Sequence, residues 1–133
     1  MRAWLMVALA IATLALMGSA QDLRDFTRSP TEHIINELET PISVRAVAGL
    51  VVLKGGGDPL PNIILELRGP GKNRRIRRVT TDEHGRLAMR NIPGGVYRFK
   101  TTLNGFQSVV GTIVVSKSAP VGEEIRIETP FGV

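Results

Sequence analysis

From residue 44 onward the chain is divided into short alternating apolar and polar runs by glycine, proline and asparagine. A period of two sends successive side chains to opposite faces of an extended strand. The gaps between runs are too short for the crossover helix that a parallel α/β sheet requires. The clearest stretch reads Thr81-Asp82-Glu83-His84-Gly85-Arg86-Leu87-Ala88-Met89, then Asn91-Ile92-Pro93-Gly94-Gly95-Val96-Tyr97-Arg98-Phe99-Lys100, a turn, a strand, a tight turn and a strand. Repeated along the chain, the pattern predicts seven strands: Val44 to Leu53, Asn62 to Arg68, Arg74 to Thr81, one at Leu87 and Met89, one through Tyr97, Phe99 and Thr101, Phe106 to Ser116, and one at Ile125 and Ile127. Such spacing reads as an antiparallel β-sandwich whose inward rows include Leu65, Leu87 and Phe99. Glu66, Arg68, Arg98 and Lys100 fall on the outward positions.

The N-terminal residues follow another logic. Arg2 precedes an uncharged apolar run from Ala3 to Met17 and the small residues Gly18-Ser19-Ala20, the arrangement of a secretory signal peptide over 1–20 with cleavage after Ala20. The run is shorter than the ~20 residues of a spanning helix, so membrane contact would come only from a retained leader. The expected location is secreted or periplasmic. Loss of Arg2 takes the net charge from +5 to +4. The chain has no cysteine, although export would permit disulfides, and its single domain is large enough to bury a core without them. Between leader and domain lies a segment over 21–43. Ser29-Pro30-Thr31-Glu32 there has the form of a helix cap, and Ile34, Ile35 and Leu38 share one helical face before Pro41. A short helix of about two turns is expected at that position.

Two groups of residues resemble the signatures of carboxypeptidase regulatory-like domains. Gly49-Leu50-Val51 leading into Pro59-Leu60-Pro61-Asn62-Ile63-Ile64-Leu65-Glu66-Leu67 is similar to the family's first hairpin. Thr81-Asp82, Gly85 and Leu87, followed by Ile92-Pro93, Gly95 and Tyr97, are similar to its second signature. The likeness spans roughly Val44 to Glu128. It implies a seven-stranded prealbumin-like sandwich over 44–133, of the kind found in collagen-adhesin B-type repeats. It also implies a non-catalytic adjunct of exported proteins, concerned with assembly, adhesion or carbohydrate contact. The signature residues have structural reasons: Gly85 and Gly95 suit positive φ, Pro93 sets a turn, and Tyr97 joins Phe99 in the core. Two departures narrow the comparison. Adhesin-type repeats often place the asparagine of a Lys–Asn crosslink in their last strand, and Glu123 to Thr129 contains none. Transthyretin-related hydrolases carry their site on a Tyr-Arg-Gly-Ser-like tail, whereas this chain ends Thr129-Pro130-Phe131-Gly132-Val133.

Residues that could carry chemistry are few. Thiol catalysis and thiolate metal sites require cysteine. His33 and His84 have no spacing that suggests a Ser-His-Asp arrangement, and Asp82, Glu83 and Asp58 are too few for a calcium loop. Asp82 instead suits its own turn. Neither a cofactor nor a metal is expected. The compositional oddity is Lys72-Asn73-Arg74-Arg75-Ile76-Arg77-Arg78. Arg74, Arg75, Arg77 and Arg78 could hold a polysaccharide or another anionic polymer, because the guanidinium fork suits carboxylate and phosphate. The same run would also guard a sheet edge against aggregation, which is the favoured reading. Specific nucleic-acid recognition is not expected without an aromatic stacking platform. The leading expectation is contact with another exported protein or a cell-surface component, one route being addition of a partner's strand to a sheet edge. Carbohydrate or polyanion binding by the arginine run is the alternative.

Overall fold

A computed structural model describes residues 23–30, 34–70 and 75–132, and the expected leader lies outside them. Among the described residues nine strands follow one another: β1 (Ile35–Glu37), β2 (Ile42–Val44), β3 (Val47–Leu53), β4 (Ile64–Arg68), β5 (Ile76–Thr80), β6 (Arg86–Met89), β7 (Gly95–Thr102), β8 (Ser108–Val115) and β9 (Ile125–Thr129). They form two sheets, one of six strands in the order β1-β8-β7-β4-β5 with β2 also on β8, the other β6-β3-β9. The fold is all-β and sandwich-like, as the alternation requires.

The seven runs legible in the sequence are β3 to β9. The count of seven is corrected to nine by β1, which arises where a helix was expected, and by β2, which follows Pro41. Ile34, Ile35 and Leu38 lie on extended chain, with β1 and β2 both parallel to β8. Thr31 and Glu32 of the expected cap, and His33 after it, lie outside the described residues. A two-turn helix has little stability of its own, whereas the edge of β8 offers a row of main-chain partners: Leu38 N–H donates to Val110 O at 2.8 Å and Ser108 N–H to Ile34 O at 3.3 Å. β-Branched Ile35 also favours extended backbone. The purely antiparallel expectation is corrected too, since β3 and β9 also pair in parallel. The remaining ladders, β3–β6, β4–β5, β4–β7 and β7–β8, are antiparallel.

The core lies between the sheets. Leu65, Leu67, Phe99, Ile113, Ile125 and Ile127 are fully buried there, and Leu87 retains 5 % of its surface. Tyr97 is buried with its hydroxyl donating to Pro93 O at 2.6 Å, so one ring serves both the core and the turn below it. Gly49 has no room for a side chain, because a Cβ there would collide with the Ile125 backbone; glycine lets β3 and β9 approach. Gly85 has φ +73, as expected, and a Cβ on it would lie 2.8 Å from Val51 O. Gly95 does not have positive φ; in that turn it is Asn91 that does, at 61°. Asparagine tolerates this region through local hydrogen bonding by its short side chain.

One buried polar atom, Thr129 Oγ1, has no hydrogen-bond partner among the described residues. Replacing an unsatisfied buried hydroxyl with a methyl removes a desolvation cost, so Thr129→Val should raise unfolding free energy by roughly 1 kcal/mol in urea titrations. Phe99→Ala, which empties the centre of the core, should lower it by about 3–5 kcal/mol.

Candidate interaction surfaces

The arginine run forms an edge. β5 is the last strand of the six-stranded sheet, paired among the described residues with β4 alone. Alternation then divides its charges between two faces. Arg78 stands opposite Glu66 on the outer face, and its Nε donates to Glu66 Oε2 at 2.8 Å. Arg77 stands opposite Leu67 on the inner side, and its Nη2 donates to Arg90 O at 3.1 Å. Arg75 is exposed at the start of the strand, and its carbonyl accepts from Gly69 N at 3.4 Å. Arg74 lies outside the described residues. The structure therefore does not bring Arg75, Arg77 and Arg78 onto one surface.

Arg78 belongs instead to a charged row whose burial periodicity did not reveal. Glu66, Arg68 and Lys100 point outward from the sheet as expected, yet they are buried, at 0 %, 7 % and 1 % exposure. They are covered by the stretch Leu23–Pro30, which lies across the outer face. Glu66 accepts from Thr27 N at 2.8 Å, from Thr27 Oγ1 at 3.1 Å and from Arg78. Lys100, directly opposite Glu66, donates through Nζ to Thr27 O at 2.6 Å. Such hydrogen bonds are what make a buried charge tolerable. Arg68 stands opposite Arg98, a repulsive pairing. It is answered by the buried Phe26 ring 4.9 Å from the Arg68 guanidinium carbon and by Glu37, whose carboxylate accepts from Arg98 at 3.1 and 3.2 Å. No motif marks this row. The usable signal is that Glu66, Lys100 and Arg78 fall in register once the strands are paired.

A second feature lies at the opposite side of the sandwich, where β8 and β9 diverge. The two chains meet at one end, with Gln107 N–H donating to Pro130 O at 3.1 Å and Phe106 bridged to Phe131. The two rings stack there with centroids 4.9 Å apart. Beyond that junction β8 enters the large sheet and β9 the small one. A hollow of about 270 Å³ opens between them, lined by Asn36, Leu38, Lys54, Val109, Glu128 and Pro130. Asn36 is held at its rim by a relay: its amide donates to Gln107 Oε1 at 2.9 Å, and Gln107 Nε2 donates to Phe131 O at 3.0 Å. Large apolar side chains stand exposed nearby: Ile34 and Leu38 beside β1, and Phe131, 60 % exposed, just past β9; Ile35, also exposed, turns with Glu37 toward the outer face.

The turn containing His84 is self-contained. Asp82 Oδ1 accepts from His84 N at 2.8 Å and Arg86 N at 3.0 Å, as its turn position predicted. These bonds, that from Arg86 foremost, hold the Asp82 carboxyl below the usual aspartate range. His84 Nε2 lies 3.4 Å from Glu83 Oε1, both side chains well exposed. Among the described residues no three or more His, Cys, Asp or Glu side chains are grouped as metal ligands.

No family model matches the chain, and no curated protein matches it.

Two stability measurements test these assignments. Glu66→Ala strips three donors of their acceptor inside the buried network, so it should cost about 3–5 kcal/mol. Arg78→Ala, whose side chain is 56 % exposed, should cost about 1 kcal/mol or less. For Asp82, a folded pKa below the unfolded value means stability present above about pH 4 and lost as pH falls through the folded value. Thermal melts of the native protein and Asp82→Ala should differ most near neutral pH and converge in acid.

Proposed function

We propose that the protein is a non-catalytic, exported β-sandwich module of the carboxypeptidase regulatory-like kind. In this reading it contacts another exported protein or a cell-surface component through the corner between β8 and β9. The observation that carries this reading is that exposed Leu38 lines an open hollow with a polar rim, with exposed Phe131 next to its lining residue Pro130 and exposed Ile34 on the same face of the β1 segment as Asn36 and Leu38. Apolar side chains left uncovered together, and bordered by polar groups, are a usual feature of protein–protein contact sites. The leader-like first twenty residues and the signature residues from Gly49 to Tyr97 support export and family. The alternative, polysaccharide or polyanion binding by Arg74, Arg75, Arg77 and Arg78, is weakened by the separation of the described arginines onto two faces and by the bond from Arg78 to Glu66.

The test is site-specific photo-crosslinking in the producing cell. A photoreactive side chain at Leu38 or Phe131 should yield discrete protein adducts. One at Val121, 79 % exposed in the connection at the other end of β8, should not. Adducts from Val121 alone would refute the assignment. Retention on anionic glycans that fades with salt and disappears in Arg75→Ala/Arg77→Ala would transfer the function to the basic edge.

A further inference from the structure

The hydrogen-bond pattern of β9 narrows the kind of partner that this corner can accept. In the parallel ladder with β3, Thr129 directs its carbonyl to Lys54 N at 3.1 Å, and Ile125 and Ile127 share its orientation. Main-chain groups alternate in direction along a strand, so those of Arg126 and Glu128 face the other way, out of the sheet. The next outward carbonyl, that of Pro130, is taken by Gln107. Those of Arg126 and Glu128 meet no main-chain partner among the described residues. They lie beside the hollow, which opens between β9 and the inner side of β1. The large sheet runs β8 then β1, whereas the small sheet stops at β9, which lies nearest β8. β1 therefore extends one strand beyond β9, with no strand of the small sheet above it among the described residues.

We propose, resting on the contact surface assigned above, that the partner supplies a single extended segment that adds to β9 as an antiparallel strand and roofs the hollow over β1. A strand placed about 4.8 Å from β9 would occupy the missing position. It would pair its main chain with Arg126 and Glu128, each in a directly opposed, doubly hydrogen-bonded pair. Its residue between those pairs would stand opposite Ile127 and point inward, toward Leu38 and Val109. Charge defines the rest of the segment. Met in antiparallel order, Glu128 calls for a cationic residue and Arg126, two positions on, for an anionic one. The partner segment thus reads basic, apolar, acidic, with apolar flanks.

The overhang also decides what cannot dock. The edge of another folded sandwich, a second copy of this chain included, would carry its own second layer into the space occupied by β1. A tail or loop has no such layer. Strand addition by a free segment meets both requirements at once: it satisfies an open edge and covers apolar surface.

The experiment uses the purified protein and a synthetic peptide of about seven residues, centred on valine, lysine, valine, glutamate, valine. Binding is followed by amide chemical shifts and fluorescence anisotropy. The peptide should bind, with shifts centred on Arg126, Glu128 and Leu38. Methylating the peptide's lysine and glutamate amides should weaken binding about tenfold or more, since the ladder loses its donors. Exchanging lysine and glutamate should weaken it several-fold. Arg126→Pro deletes an outward N–H while leaving the bonds to β3, a place where edge strands tolerate proline. It should abolish binding with the circular dichroism spectrum unchanged. If that variant unfolds, the methylated peptide decides alone. No binding at millimolar peptide, equal binding by the methylated form, or concentration-dependent dimerisation through β9 in sedimentation overturns the proposal. Crosslinks at Leu38 and Phe131 that persist alongside any of these results would preserve the contact surface while removing strand addition. Absence of those crosslinks would remove the surface itself.

Discussion

The packing of Phe99 against Gly111 fixes how β7 lies against β8 at the centre of the large sheet. Phe99 lies opposite Gly111 on β8 and opposite Leu67 on β4, and its ring is fully buried. A Cβ at Gly111 would come within 2.7 Å of that ring. The glycine therefore lets a phenylalanine lie across a neighbouring strand where any side chain would push it away. With Phe99 in place, the registers of β4, β7 and β8 follow. A one-residue slip would exchange the inward set of Leu65, Leu67, Phe99 and Ile113 for the outward set of Glu66, Arg68 and Lys100.

β8 is the strand on which β1 and β2 depend. One edge of it pairs with β7, and the other takes both β1 and β2 in parallel, one after the other with Pro41 between them. At its start it is tied to the exit of β9 through Gln107 and Pro130, and then the two strands part. That single divergence produces the hollow, the exposed main-chain groups of Arg126 and Glu128, and the overhang of β1. The candidate contact surface is thus a consequence of how two sheets of unequal width meet at one corner.

The outer face shows the opposite outcome. Glu66, Lys100, Arg68 and Arg78 have the polar pattern of a solvated face, and an isolated sheet would leave them wet. The crossing of Leu23–Pro30 turns them into a buried network joined through both main-chain groups of Thr27. Burial of this kind adds little net stability but penalises any arrangement that leaves a charge unpaired. The N-terminal stretch is held in one place by that selectivity and by Phe26 over Arg68.

Period-two alternation alone located β3 to β9 and the inward row of Leu65, Leu87 and Phe99, because side-chain direction in a strand is a local property. Turn chemistry was equally local, so the role of Asp82 and the positive φ of Gly85 were legible. The helix expected at Ile34 to Leu38 was not formed, since those apolar residues fit either period and only the free edge of β8 decides between them. The parallel pairings, the burial of Glu66 and Lys100, the division of Arg77 from Arg78, and the corner beside β9 belong to the tertiary structure. Each depends on which strand becomes a neighbour, and no residue spacing within a run contains that information.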